Sequence, residues 1–287
     1  MKLPITIIMI TYNEEHYIYN AIRQHLKYVS EVIILDSYSS DKTVELAVEA
    51  GASVFQRNFK GFGDQWDYAV KNLPVKSEWV MKMDPDESVE KRFWEILGKN
   101  LNQNCNGFTV VRRLWFMKKP LKVRHRLLRV WRQGNCRFEN VSVNEHPMVA
   151  DPIYHLPIEI QHHDSPNLHH WILKQNMYST LEARARIRSE KFSFQPKFFG
   201  SSVERRMFLK AIYKYIPFRH EFYFLHCLLL LGGVWSGRPG IIWAKLRKSL
   251  FQLRELKLKE MKNYGDNYPK NEKIVGAPSP LATQCEG

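Results

Sequence analysis

The chain has 287 residues, 44% of them hydrophobic and 25% charged, which is the balance of a globular protein long enough to bury a full core. Its formal charge of +14 is unevenly placed: residues 1–100 hold 12 Lys and Arg against 15 Asp and Glu, and the remaining 187 hold 31 against 14. The four cysteines (Cys105, Cys136, Cys227, Cys285) contain no CxxC pair, which argues against a zinc site or a disulfide framework and for reduced thiols in a cytosolic protein.

The N-terminus, Met1-Lys2-Leu3-Pro4, runs straight into an apolar strand and lacks a signal-peptide layout. Ile5–Ile10 is a continuous apolar run of buried parallel-strand type. Ile18, Ile22, Leu26 and Val29 form a helical stripe over 14–29. Val32–Leu35 reads as a second buried strand, and Ser40 or Asp41 caps a helix carrying Val44, Ala47 and Val48 on one face. A short strand at Ser53–Gln56, a helix over about 63–73, a strand at Trp79–Met83, a helix over about 88–99 and a strand at Gly107–Arg112 follow. This β-α alternation predicts an α/β fold, a mostly parallel sheet flanked by helices.

Ligands of such sheets sit beyond the carboxyl ends of the strands. Three polar clusters fall there: Thr11-Tyr12-Asn13-Glu14, Asp36-Ser37, and Asp84-Pro85-Asp86-Glu87. Two carboxylates one residue apart, Asp84 and Asp86, suit a hard cation, Mg²⁺ or Mn²⁺, that keeps open positions for diphosphate oxygens. The same tetrapeptide is also good turn and cap chemistry. Asp36 is an acid at the end of a buried strand, costly there unless used, and suits a nucleobase N–H or a ribose hydroxyl. Thr11, Asn13 and Glu14 close a nucleoside pocket or cap a helix equally well.

Residues from about 168 onward read as helix, with Leu168, Ile172, Leu173, Met177 and Leu181 on one stripe and further helices at 204–216 and 241–262. Phe222–Trp235 is the longest apolar run, contains His226, and falls short of the roughly 20 residues that span a bilayer. Lys245, Arg247, Lys248, Arg254, Lys257 and Lys259 interleave with Ile242, Leu246, Leu250, Leu253 and Leu256, a basic amphipathic helix suited to an anionic membrane surface. Three regions result: a catalytic domain over 1–165, a helical, basic C-terminal extension over 166–263, and a polar, flexible tail over 264–287.

The ordered set of motifs resembles family 2 glycosyltransferases of the GT-A fold, nearest to the branch that builds lipopolysaccharide core and exopolysaccharide. "ITIIMITYNEE", "VIILDSYSSDKT" and "WVMKMDPDE" are similar to that family's nucleoside loop, nucleobase-binding strand and metal-binding DxD. "LLRVWRQG", "VSVNEHP", "IQHHDSPNLHHWILKQNMYSTLEA" and "GGVWSGRPGIIWAKLR" continue the likeness over roughly residues 4–262. The resemblance implies a nucleotide-sugar donor, UDP-hexose by family default, bound by Thr11, Asn13, Glu14, Asp36, Ser37, Gln65, Asp84 and Arg129. It implies a metal at Asp84 and Asp86, Glu145 as the base that deprotonates the acceptor hydroxyl, and inversion by single displacement. It also implies a lipid-linked saccharide acceptor, and with it a position on the inner face of the cytoplasmic membrane. Asn144 stands where the branch has His, and Asp67 where it has Asn. Arg126 and Arg132 are further phosphate candidates. Of the 11 histidines, His162 aligns with a branch histidine facing the acceptor; the pairs His162-His163 and His169-His170 lack clean metal-ligand spacing.

Two other readings fit parts of the chain. A sugar-nucleotide-forming nucleotidyltransferase needs a Gly-rich loop after the first strand, where this chain has none. A basic nucleic-acid-binding protein needs a recognisable module, and no such signature occurs.

Overall fold

In the computed structural model the described residues are 2–139, 145–188, 197–199, 204, 205, 208, 212 and 217–268. The expected helix over 204–216 lies mostly outside them, as do Asn144, Cys285 and the tail beyond 268.

Strands β1 (Leu3–Thr11), β2 (Val29–Asp36), β3 (Ser53–Gln56) and β4 (Trp79–Lys82) alternate with helices α1 (Ile18–His25), α2 (Thr43–Glu49) and α3 (Phe62–Asn72). The two central strands are apolar on both faces, which is why they read as unbroken runs: Ile7, Ile8, Met9, Ile33, Ile34 and Leu35 are fully buried. Each such side chain contributes about 1.5–3 kcal/mol relative to exposure. Met9 and Ile34 face the layer of α1, Phe93 and Trp94, while Ile8 and Leu35 face Trp66 of α3.

The second half departs from the expected elements. Glu87–Ser88 is a short strand, β5, and α4 begins only at Lys91 (Lys91–Asn100), with Glu90 rather than the Asp-Pro-Asp-Glu turn at its start. Strands β6 (Gly107–Phe116), β7 (Lys119–Arg132), β8 (Cys136–Phe138), β9 (Pro147–Val149) and β10 (Ile153–His162) follow. The main sheet runs β3-β2-β1-β4-β7-β6-β10-β5, and β8 pairs with β9 apart from it. Pairings within β3-β2-β1-β4 and between β6 and β10 are parallel; β4–β7, β7–β6 and β10–β5 are antiparallel. The reading of α/β with helices on both faces holds.

After β10 the chain is helical: α5 (Leu168–Ile187), α6 (Arg219–Leu225) continued by a wide turn over His226–Leu230, and α7 (Gly237–Tyr264). Asn167 caps α5, its side-chain oxygen accepting from the His170 N–H at 2.9 Å. Trp171, Cys227, Trp243 and Ala244 pack on Phe116, Leu121 and Val123 of the long β6–β7 hairpin. Gly240 meets Gly233 so closely that a Cβ there would fall 2.0 Å from the Gly233 carbonyl oxygen.

His25 lies fully buried on α1, edge-on to the Trp94 ring at 5.8 Å. Burial lowers its pKa to about 4, whereas an unfolded histidine titrates near 6.5. The folded state therefore keeps its full stability above pH 6.5 and loses about 3 kcal/mol as pH falls from there to 4, because only the unfolded chain takes up the proton. Urea unfolding at pH 7 and pH 4.5 should display this loss, and His25→Leu should flatten it.

Candidate active site

The parallel register of β1 with β2 and β4 brings three strand ends to one level. Thr11 stands opposite Asp36, and Ile8 opposite Lys82, two residues before Asp84. The loops after β1 and β2 are tied together. Asn13 adopts a left-handed conformation (φ 54°), and its side-chain oxygen accepts the Ser40 N–H at 2.8 Å. The Asn13 N–H donates to Ser39 Oγ at 2.9 Å. Glu14 N–H donates to Thr43 Oγ1 at 2.7 Å, and Asp41 accepts the Thr43 N–H at 3.0 Å, while the residue at the N-cap of α2 is Lys42 rather than Ser40 or Asp41.

Asp36 is completely buried. Its oxygens accept from Thr11 Oγ1 (3.0 Å), the Ser39 N–H (2.8 Å), Ser39 Oγ (2.5 Å) and Gln56 Nε2 (3.1 Å). A carboxylate has about four acceptor sites, so this one is fully subscribed to the loop. Gln65, also buried, donates to Ser37 Oγ at 3.3 Å and accepts from Arg57 Nη1 at 2.8 Å, which makes it a buttress under Ser37. Asp67 fastens α3 to β8 by accepting the Phe138 N–H at 3.2 Å.

Asp84 and Asp86 diverge. Asp84 accepts from Arg129 Nη2 at 3.2 Å, and the same nitrogen donates to Glu87 at 2.5 Å. Arg129 is buried, with its other amino group donating to the Lys82 carbonyl at 3.4 Å, so its guanidinium is spent inside the protein. Burial works against its charge, and Glu87 and then Asp84 more than restore it. Arg126 is exposed farther along β7. Arg132 lies opposite Trp79, at the start of β4, and donates to the Cys105 carbonyl at 2.8 Å. That is the wrong end of the sheet for the phosphate role expected of it.

Asp86 turns toward β10 and α5. His162 Nδ1 lies 3.3 Å from its Oδ1, and Lys174 Nζ 3.2 Å from its Oδ2. Lys174 also meets Asp164 at 3.1 Å, and His162 Nε2 is 3.7 Å from the same residue. Burial alone would raise the Asp86 carboxyl; the charges of His162 and Lys174 hold it far below the usual range. Burial likewise works against the imidazolium of His162, which Asp86 and Asp164 nevertheless raise to about 9. Glu14 is pushed up to about 8, first by burial and then by the Asp86 charge.

The donor set fits a divalent cation. Ligand atoms of Asp86, His162 and Asp164 lie within 4.8 Å of one another, and among the described residues the buried Asp86 Oδ1 and His162 Nδ1 face each other at 3.3 Å and have no other hydrogen-bond partner. Two carboxylate oxygens and one imidazole nitrogen suit manganese better than magnesium. Asp84, expected as a ligand, is outside this group, and His162, expected to lack carboxylate partners, is inside it. The β10–β5 pairing sets His162 opposite Glu87 and creates this arrangement across the long loop of sequence between them.

Glu145 accepts from Lys82 Nζ at 2.6 Å. Lys82 is almost fully buried and crosses the Trp66 ring at 4.3 Å, so the last residue of β4 holds the carboxylate beside the strand ends. A lysine inside an otherwise apolar strand was the readable sign of this partner. A cavity of about 220 Å³ opens on the other side of Asp86, between α1 and the Pro85–Ser88 segment.

The family model for glycosyl transferase family 2 matches residues 6–155, and the chain belongs to that family; it is an enzyme of the glycosyltransferase class. Among characterised and catalogued proteins it is similar to the lipopolysaccharide core biosynthesis glycosyltransferase LpsC of Rhizobium meliloti, at 29% identity over 69% of this chain and 76% of LpsC. It is 26% identical to an uncharacterized glycosyltransferase of Rickettsia bellii, over 65% of this chain and 69% of that one. Among solved structures it aligns with residues 1–349 of TarS from S. aureus at 15% identity, with 92% of each chain covered and a TM-score of 0.42. The glucosyl-3-phosphoglycerate synthase of Mycobacterium tuberculosis aligns over 38% of this chain and 43% of its own, at 22% identity and a TM-score of 0.33.

Arg129 and Glu87 form an ion pair sealed from water, with side chains 3% and 0% exposed. Arg129→Met should cost about 3–5 kcal/mol by stranding the Glu87 charge, and a second change, Glu87→Gln, should recover much of it. Chemical denaturation of the two variants checks both statements.

Proposed function

We propose that the protein transfers a hexose from a UDP-sugar, with inversion, to a hydroxyl of a lipopolysaccharide-core or other lipid-linked saccharide. The observation that carries this reading is the register that sets Asp36 and the Asp84 loop at neighbouring ends of β2 and β4, with Glu145 held there by Lys82 and Asp86 turned to His162, in a family 2 chain. The nucleoside would lie against Thr11, Asn13 and Ser37, with Asp36 exchanging one of its loop hydrogen bonds for the base. Asp86, with His162 and Asp164, would hold a divalent cation, and Asp84 would face the diphosphate or sugar. Bound there, the cation offsets the charge that builds on the departing diphosphate.

The residues of the chain do the rest. Glu145 takes the proton from the acceptor hydroxyl as its oxygen bonds to the anomeric carbon. The bond from that carbon to the diphosphate oxygen breaks on the opposite face, and the nucleoside diphosphate leaves with the electron pair. Lys82 orients Glu145, and Lys174 balances Asp86 and Asp164 when the site carries no cation. The acceptor class is supported by the likeness to LpsC. Asp86→Asn should abolish manganese-dependent UDP binding measured by calorimetry. Glu145→Gln should keep that binding and lower transfer by about 10²–10⁴-fold; unchanged transfer would move the base elsewhere.

The same reading places the protein on the cytoplasmic side of a membrane, attached at its periphery. No single described helix is long and apolar enough to cross a bilayer; the pair Arg219–Leu230 and Val234–Tyr264, bent by 54°, passes the length and composition test together. At this bend Leu230 and Trp235 are 78% and 75% exposed, an apolar edge beside the cations of α7. Flotation with vesicles containing phosphatidylglycerol should recover the protein. Leu230→Asp with Trp235→Asp should release it, and binding that ignores both changes would refute this mode of attachment.

A further inference from the structure

Between α5, α6 and α7 lies a small polar pocket of about 50 Å³, lined by Gln175, Tyr178, Glu182, Tyr223, Arg247 and Arg254. Two guanidiniums converge on it. Arg247 Nη2 donates to Tyr223 Oη at 2.9 Å, and Arg254 Nη1 donates to Glu182 at 2.5 Å. Among the described residues the Nε atoms of both arginines are buried and have no hydrogen-bond partner. A buried N–H left unpaired costs more than the average hydrogen bond gains, so two together, both on permanently charged groups, point to an absent acceptor. The lining holds two positive charges against the single carboxylate of Glu182, and the aromatic walls (Phe251 lies 4.8 Å under Arg254) fix the forks in place. A tetrahedral anion with several acceptor oxygens matches this donor set better than a carboxylate does.

The pocket lies along α5 from the ammonium that grips Asp86. Lys174, which grips Asp86, lies on α5 one turn before Tyr178 and two before Glu182, and a helix advances 1.5 Å per residue, so the separation along the axis is about 6–12 Å. Tyr178 stacks on Phe62, at the start of α3, with centroids 5.8 Å apart and bridges the two places. About 6–12 Å is the reach of one or two sugar rings.

We propose that this pocket is a subsite for a phosphate group carried by the acceptor, one or two sugar units from the hydroxyl that is glycosylated. The word acceptor rests on the function proposed above; the anion site itself rests on the two arginines.

The test is a calorimetric titration of the full chain with inorganic phosphate and with a hexose 6-phosphate, at ionic strength held constant with chloride. Wild type and Asp86→Asn should bind both alike, which separates this pocket from the strand-end site. Arg247→Gln and Arg254→Gln should each weaken binding by about tenfold or more. Glu182→Gln, which removes the competing carboxylate, should tighten it severalfold, a direction that a merely destabilised protein does not give. Vesicles carrying phosphatidic acid, titrated into the Leu230→Asp, Trp235→Asp protein, form a parallel arm: response to the hexose phosphate identifies a saccharide phosphate, and a response to the vesicles alone that Arg247→Gln removes identifies a lipid phosphate in the same pocket. Binding that survives both arginine changes, or that is lost in Asp86→Asn instead, overturns the proposal. Manganese-dependent UDP binding, read on the same samples, stands or falls independently and reports on the function proposed above.

Discussion

Three adjacent parallel strands that end together are the constraint on which this molecule is built. The alignment of β1 with β2 and β4 is fixed by apolar runs buried on both faces, where a one-residue slip would exchange Ile7 and Ile8, or Ile33 and Ile34, between two differently shaped layers. With the register set, Thr11, Asp36 and Asp84 have to emerge side by side. The polar residues at those ends are tolerated because each finds partners at once: four donors for Asp36, and Arg129 for Asp84 and Glu87.

Charge at the strand ends is arranged in opposed pairs. Lys82 holds Glu145, Arg129 holds Glu87 and Asp84, and Lys174 with His162 holds Asp86 and Asp164. Glu14, the acid without such a neighbour of its own in this set, has its carboxyl pushed upward in compensation. Each acid of those pairs thereby has a cation beside it in a region where isolated charge would be costly, with four cations facing five carboxylates. Asp86 is therefore no bare acidic hole: the Lys174 ammonium and the His162 ring already stand beside it.

The first hundred residues were legible because their strands and helices carry undiluted apolar patterns. The strand Ser53–Gln56 could be placed from sequence to the residue and Val32–Leu35 forms the core of β2, whereas the helix read over 14–29 is confined to Ile18–His25, with Val29 already opening β2. The strands after Gly107 were not. Strand β7 alternates Arg124 and Arg126 with buried positions, and β10 carries His155 and Glu159, so neither has the continuous hydrophobicity that marks a buried strand. The partnership of Asp86 with His162 and Asp164 was hidden for a related reason. It follows from an antiparallel pairing of two-residue β5 with the end of β10, a long-range event with no local signature. Arg129 was readable as a candidate, but only its burial reveals that it serves Glu87.

Helix α5 has 20 residues and is about 30 Å long. Lys174, its seventh residue, grips Asp86; Glu182 and Arg184, its fifteenth and seventeenth, meet Arg254 and Asp266, both partners belonging to α7 or the segment just after it. One helix thus carries both the ammonium beside Asp86 and the anchors of the basic C-terminal helix, about 12–15 Å apart along its axis.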